Sequence, residues 1–142
     1  VTAAITTGVV FDLEAIIARS FTVADSGGTP VTLTGSNNKR RASMGSSLFS
    51  DMRIATTAAL TVGTRTPDAQ AVGRVQGFTG TALGTKIFDA NPVYMYRRED
   101  PNEHPIILAQ NEGILIRNPL VGPATGSFTV LVEVGWMEVN LY

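Results

Sequence analysis

The chain has 142 residues, 16% of them charged, with a formal net charge of −1, one His and no Cys. A typical soluble domain carries about 25% charged residues, so much of this surface is weakly charged and is expected to face a partner subunit. Without Cys there is no disulfide framework, Cys zinc site, iron–sulfur cluster or thiol nucleophile; His104 alone cannot form a two-imidazole site, and a near-neutral chain has no global basic field for nucleic acid.

The length suits one domain over 1–142. Its first residues, Val1-Thr2-Ala3-Ala4-Ile5-Thr6-Thr7, carry no positively charged region and do not read as a signal peptide. Residues 1–8 are expected to form an extended arm that adds a strand to a neighbour's edge. Thr and Val are abundant and Gly and Pro are scattered, which points to short strands joined by turns. Phe11, Leu13, Ala15 and Ile17 alternate with Val10, Asp12, Glu14 and Ile16, the pattern of a strand. Leu13, Ile16 and Ile17 also share a helical face, but the flanking Thr and Val favour the strand. Val31-Thr32-Leu33-Thr34 follows a Gly27-Gly28 turn.

Residues 42–60 stay open between helix and strand. Met44, Leu48, Met52 and Ala55 have helical spacing, while Thr56, Thr57 and the three Ser between Met44 and Ala55 weigh against a helix. Residues 61–85 read as loops with one or two short strands, and 85–88 and 92–97 as further strands. Ile106-Ile107-Leu108-Ala109 and Ile114-Leu115-Ile116-Arg117 flank Gln110-Asn111-Glu112-Gly113, which suggests a hairpin ended by Asn118-Pro119. The clearest alternation is Phe128, Val130, Val132, Val134 and Trp136, expected to be a core strand of a sandwich. No aliphatic run approaches the roughly 18 residues that span a bilayer, so no membrane partner is expected.

Catalytic equipment is thin. Asp100, Glu103 and His104 lie in a charged loop between Pro101 and Pro105, where extended backbone makes their side chains diverge rather than converge on a metal. A Ser, a His and acids exist, but no G-x-S-x-G elbow presents a nucleophile. Gly77, Gly80 and Gly84 fit neither a dinucleotide loop nor a Walker loop and read as turn residues. Nothing in the spacing of the acids favours a catalytic carboxylate pair. Lys39-Arg40-Arg41 lacks adjacent aromatics for stacking on bases and reads as a solvated loop or a positive contact to an acidic neighbour. Tyr94, Tyr96, Phe128 and Trp136 read as core rather than as a sugar platform.

Three runs carry a family resemblance: Asn111-Glu112-Gly113-Ile114-Leu115-Ile116-Arg117-Asn118; Gly122-Pro123-Ala124-Thr125-Gly126-Ser127-Phe128; and Val132-Glu133-Val134-Gly135-Trp136-Met137-Glu138-Val139. Together with Met44-Gly45-Ser46-Ser47-Leu48 and Arg53 to Leu60, they resemble tailed-bacteriophage virion structural proteins of the capsid cement or decoration type. The resemblance implies an all-β fold, a single jelly-roll-like β-sandwich with long loops and an extended N-terminal segment. It also implies a non-enzymatic homotrimer on the capsid surface, bound to the major capsid protein, with no cofactor. Lys39, Arg40, Arg41, Arg97, Arg98, Glu103 and His104 are the expected capsid-contact residues. A spike, fibre or tail-associated module binding host glycan is the alternative.

Overall fold

The computed structural model describes residues 3–35, 39–41, 43–49, 51–55, 60–81, 94–97, 100, 102 and 104–139. Every helix or strand among them is a strand: β1 (Val10–Val23), β2 (Ser26–Gly27), β3 (Thr29–Pro30), β4 (Arg53–Ile54), β5 (Leu60–Thr61), β6 (Thr64–Pro67), β7 (Gly73–Phe78) and β8 (Gly113–Arg117). The described chain is therefore all-β, in sheets that are small and not closed. It divides into two compact units, Val1–Phe21 with Arg65–Leu131 and Thr22–Thr64 with Val132–Tyr142.

The first unit is organised by β1. Branched Ile and aromatic Phe suit a pleated strand, and the period of two puts Phe11, Ala15 and Ile17 on one face with Asp12, Glu14, Ile16 and Ala18 on the other. Phe11, Ala15, Ile16 and Ala18 are all buried, and so are Asp12 and Glu14. β1 therefore has cover on both faces, the situation of a central strand. β7 pairs with it antiparallel from Val10↔Phe78 to Ala15↔Gly73, and β8 from Glu14↔Arg117 to Ala18↔Gly113. β6 also pairs with β1. Ser20 has φ +57° and Asn111 φ +64°. Beyond Ser20 the alternation resets, and the Phe21 N–H turns to donate to the Asn111 carbonyl at 2.9 Å.

The N-terminal residues pack into this unit. Ala3 and Ser127 exchange backbone hydrogen bonds of 3.2 and 3.3 Å, and Ile5 is buried. Gly126, at φ +75°, holds a position where a Cβ would collide with the Ala4 carbonyl. Thr79 is fully buried; its Oγ1 accepts from the Val9 N–H at 2.8 Å and donates to the Val9 carbonyl at 3.2 Å. Phe11 meets the Phe128 ring at 5.5 Å between centroids.

The second unit is built from two-residue ladders, β2 with β5 and β3 with β4. Gly27 and Gly28 both have positive φ and make the turn between β2 and β3 that the sequence predicts. Side chains tie its loops: Asp25 Oδ1 accepts from the Gly63 N–H at 2.8 Å, and Arg53 donates to the Gly27 carbonyl at 3.1 Å. Leu33 is the one buried apolar residue among the described residues of this unit.

Several expectations change. The 128–136 run forms no strand; Phe128 and Val130 are half-buried, while Val132, Val134 and Trp136 are exposed. It pairs with no strand among the described residues and is not a core strand there. The expected hairpin keeps its turn, with Glu112 N–H donating to the Ala109 carbonyl at 3.1 Å, and keeps its second strand as β8. Residues 106–109 form no strand, and β8 pairs with β1 instead. The predicted strand at 92–97 is absent over residues 94–97, and 85–88 and 92–93 lie outside the described residues. The open stretch 42–60 contains β4 and the first residue of β5. The loops at 61–85 carry two short strands as expected, β6 and β7.

Phe11→Ala removes a fully buried ring and is expected to cost about 3–5 kcal/mol. Denaturant unfolding should show it as a lower midpoint, together with loss of the Phe128 contact in aromatic proton spectra.

Candidate functional site

The densest polar arrangement lies across the middle of the four-stranded sheet. Asp12 and Glu14 are two residues apart on β1 and project from the same face. The register sets Glu14 directly opposite Arg74 of β7 on one side and Arg117 of β8 on the other. Directly opposed residues are close enough for side chains to meet. Arg74 donates to Glu14 Oε1, and Arg117 Nε donates to Glu14 Oε2 at 3.3 Å. Arg74 Nε also lies 3.4 Å from Asp12 Oδ2. The Glu14 side chain is 7% exposed, whereas those of Arg74 and Arg117 are about half exposed. The hydrogen bond from Arg74 holds the Glu14 carboxyl below its ordinary value, Arg117 adds to this, and burial opposes it. Asn118, just past β8, accepts from the Asp12 N–H at 3.1 Å and the Leu120 N–H at 3.2 Å. Asp12 Oδ1 is buried without a hydrogen-bond partner among the described residues.

A second ionic group with opposite polarity is centred on Arg19. Its Nε and Nη2 each donate to Asp68 at 3.0 Å, and its Nη1 donates to Glu112 at 2.6 Å. Glu112 also accepts from the Ala109 N–H at 2.9 Å. That backbone bond and Arg19 hold the Glu112 carboxyl below its ordinary value. β1 is thus tied to both sides twice, once through an acid between two bases and once through a base between two acids.

In the second unit Glu138 plays a similar part. Its carboxylate accepts from Ser47 Oγ at 2.5 Å, the Leu48 N–H at 2.8 Å and Trp136 Nε1 at 2.9 Å. Ser47 is the main cause of the lowered Glu138 pKa. Trp136 stacks edge-on against Phe49, with centroids 5.2 Å apart.

The residues expected to contact a capsid lie elsewhere. Lys39 donates to the Met44 carbonyl at 2.9 Å and Met44 N–H to the Arg41 carbonyl at 3.1 Å, which closes the basic loop into a turn with Arg40 and Arg41 exposed. Arg97 lies over the Tyr94 ring at 5.0 Å, and His104 is exposed. Arg98 and Glu103 lie outside the described residues. Asp100 accepts from the Asn102 N–H at 2.8 Å, a local turn. No group of three or more His, Asp or Glu able to hold a metal occurs among the described residues. A shallow depression lined by Val31, Leu33, Phe49 and Met52 has Asp51 as its one ionisable wall residue, and Asp51 is paired with Arg53 at 2.8 Å.

Sequence reasoning missed the Glu14 row. The available signal was two acids on one side of an otherwise apolar strand, a pattern that demands counter-charges once both faces are covered. Arg74 and Arg117, 60 and 103 residues away, meet Glu14 only through the sheet register. Comparison with protein-family models, curated proteins and solved structures found no match for this chain.

The lowered carboxyls define an acid dependence. A carboxyl whose folded pKa lies below its unfolded value contributes stability above the unfolded value and loses it as pH falls through the folded one. Thermal melting should therefore be steady near neutrality and weaken as pH drops below the ordinary value of 4.5. Glu14→Gln should lower the melting temperature at neutral pH and flatten this acid slope; an unchanged slope would contradict the role given to Glu14.

Proposed function

We propose that this chain is a structural subunit of a larger particle, its apolar surface covered by neighbouring subunits. The observation that carries this reading is the balance of burial. Among the described residues seven apolar residues are buried, whereas twenty-one large apolar ones are exposed. Scattered apolar residues on a surface are ordinary. Here exposure extends to whole segments, including Leu120 with Val121 and Leu131 with Val132, which fits an interface rather than a finished surface.

The particle we favour is a tailed-phage virion, with the chain as a cement or decoration protein on the outer capsid surface. The motifs of the C-terminal half support that choice. In this reading a homotrimer binds the major capsid protein across shell junctions. The binding site exists only when shell neighbours are correctly placed, so occupancy stabilises the assembled state by mass action. The jelly-roll-like sandwich belongs to the same proposal, reached when 128–139 gains strand partners in the assembly. Lys39 to Arg41 and Arg97 to His104 supply the capsid contacts.

A second reading is favoured by one local feature. Trp136 is partly exposed beside the Glu138 carboxylate and against Phe49, a combination suited to stacking and hydrogen bonding a sugar. A glycan array on which binding disappears with Trp136→Ala would support a host-binding module instead.

Capsids lacking the chain should melt at lower temperature than complete ones, and adding purified chain should restore the difference. Electron cryomicroscopy should place it on the outer shell face. Finding it only in the tail, or in no particle, contradicts the proposal.

A further inference from the structure

β8 has one paired edge and one without a partner among the described residues. The carbonyls of Val9, Ala15 and Ile17 accept from Thr79, Val72 and Asp68, so the odd positions of β1 before Ser20 face the β7 side and the even positions face β8. With Glu14↔Arg117, Ile16↔Leu115 and Ala18↔Gly113 in register, the outward N–H and C=O groups of β8 belong to Ile114 and Ile116. Both residues are 38% exposed. An open edge of this composition, without Pro or Lys, is a template for another strand.

The same chain holds a segment with the complementary pattern. Residues 133–137 read Glu-Val-Gly-Trp-Met and belong to no sheet. Val134 and Trp136 are each 38% exposed, Glu133 has no ion pair or hydrogen bond among the described residues, and a Cβ on Gly135 would meet open space.

We infer that residues 133–137 of a second copy of this chain add antiparallel to β8, with Ile114 opposite Trp136, Ile116 opposite Val134 and Arg117 opposite Glu133. Three features select this register. Apolar side chains meet on one face, since aromatic and β-branched pairs are favourable neighbours across strands. Leu115 falls opposite Gly135, where there is room. On the charged face the existing row Arg74–Glu14–Arg117, already in direct register, gains Glu133 and alternates in sign across four strands. Arg117 is prepared for this: its side chain is 53% exposed and reaches Glu14 through Nε alone, at 3.3 Å. A slip of one residue would turn every apolar side chain of the added strand to the opposite face. The occupant is a second copy because every chain carries both the edge and its complement. Edge and added strand are different surfaces, so the contact is head-to-tail and closes into a ring where the rotation permits.

The absence of native Cys makes a disulfide test unambiguous. Leu115→Cys and Gly135→Cys, made as separate proteins, mixed and oxidised, should give a disulfide between chains, with none from either alone. Pairing Ile114→Cys with Gly135→Cys should give at least about tenfold less, because neighbouring positions point to opposite faces. Glu133→Lys, which disturbs no contact within its own chain, should lower the native mass. The inference is overturned by no link in the mixture, by a link closing inside one doubly substituted chain, by a wild-type chain that stays monomeric, or by unchanged mass in Glu133→Lys. It stands apart from the particle reading: a chain that assembles by this register yet occurs in no virion keeps the one and loses the other.

Discussion

A strand buried on both faces must find cover for every side chain and a counter-charge for every ionised one. Residues 11–18 of β1 meet both demands at once. Phe11, Ala15, Ile16 and Ala18 are covered by packing, and Glu14 is neutralised by one arginine from each flanking strand. An unpaired carboxylate in that position would be costly enough to expel the strand from the sheet or force protonation. The positions of β7 and β8 beside β1 are therefore set by charge as well as by backbone pairing. Register matters twice over, because a shift of one residue would move both arginines to the wrong face. Arg19, joined to Asp68 and Glu112, ties the strand to its neighbours with the signs reversed, but, half exposed, it carries no comparable burial demand.

The described residues of the second unit form no such centre. Its ladders are two residues long, and Leu33 is its buried apolar residue among those described. Loop ties through Asp25, Arg53 and Glu138 join its described segments. Short ladders and few buried side chains among the described residues supply little stabilisation of their own, which is the physical ground for the proposal that neighbouring subunits cover this part of the chain.

The sequence disclosed β1 because the alternation there coincides with real cover on both faces. It also disclosed the Gly27-Gly28 turn, the end of β8 at Asn118-Pro119 and the two short strands between 61 and 85, each marked by residues with a local conformational reason. The 128–136 run misled because alternation reports only that a strand would have an apolar face; it does not report whether a partner strand is present in the same chain. Residues 106–109 misled similarly, since β8 found β1 rather than its neighbour in sequence. The Glu14 row was hidden because sequence shows no cross-strand register. The basic loop at Lys39 to Arg41 was visible as charge, but its turn through Met44 was not.

The central claim is that residues 132–139 are finished by assembly while β1 is finished by its own chain. Residue-resolved hydrogen exchange on dilute and on assembled protein tests it most directly. The amides of β1 should be protected in both states, and those of 132–139 should exchange freely in the dilute chain and become protected on assembly. Strong protection of 132–139 in the dilute monomer would show that the segment already has a strand partner in its own chain and would contradict the account.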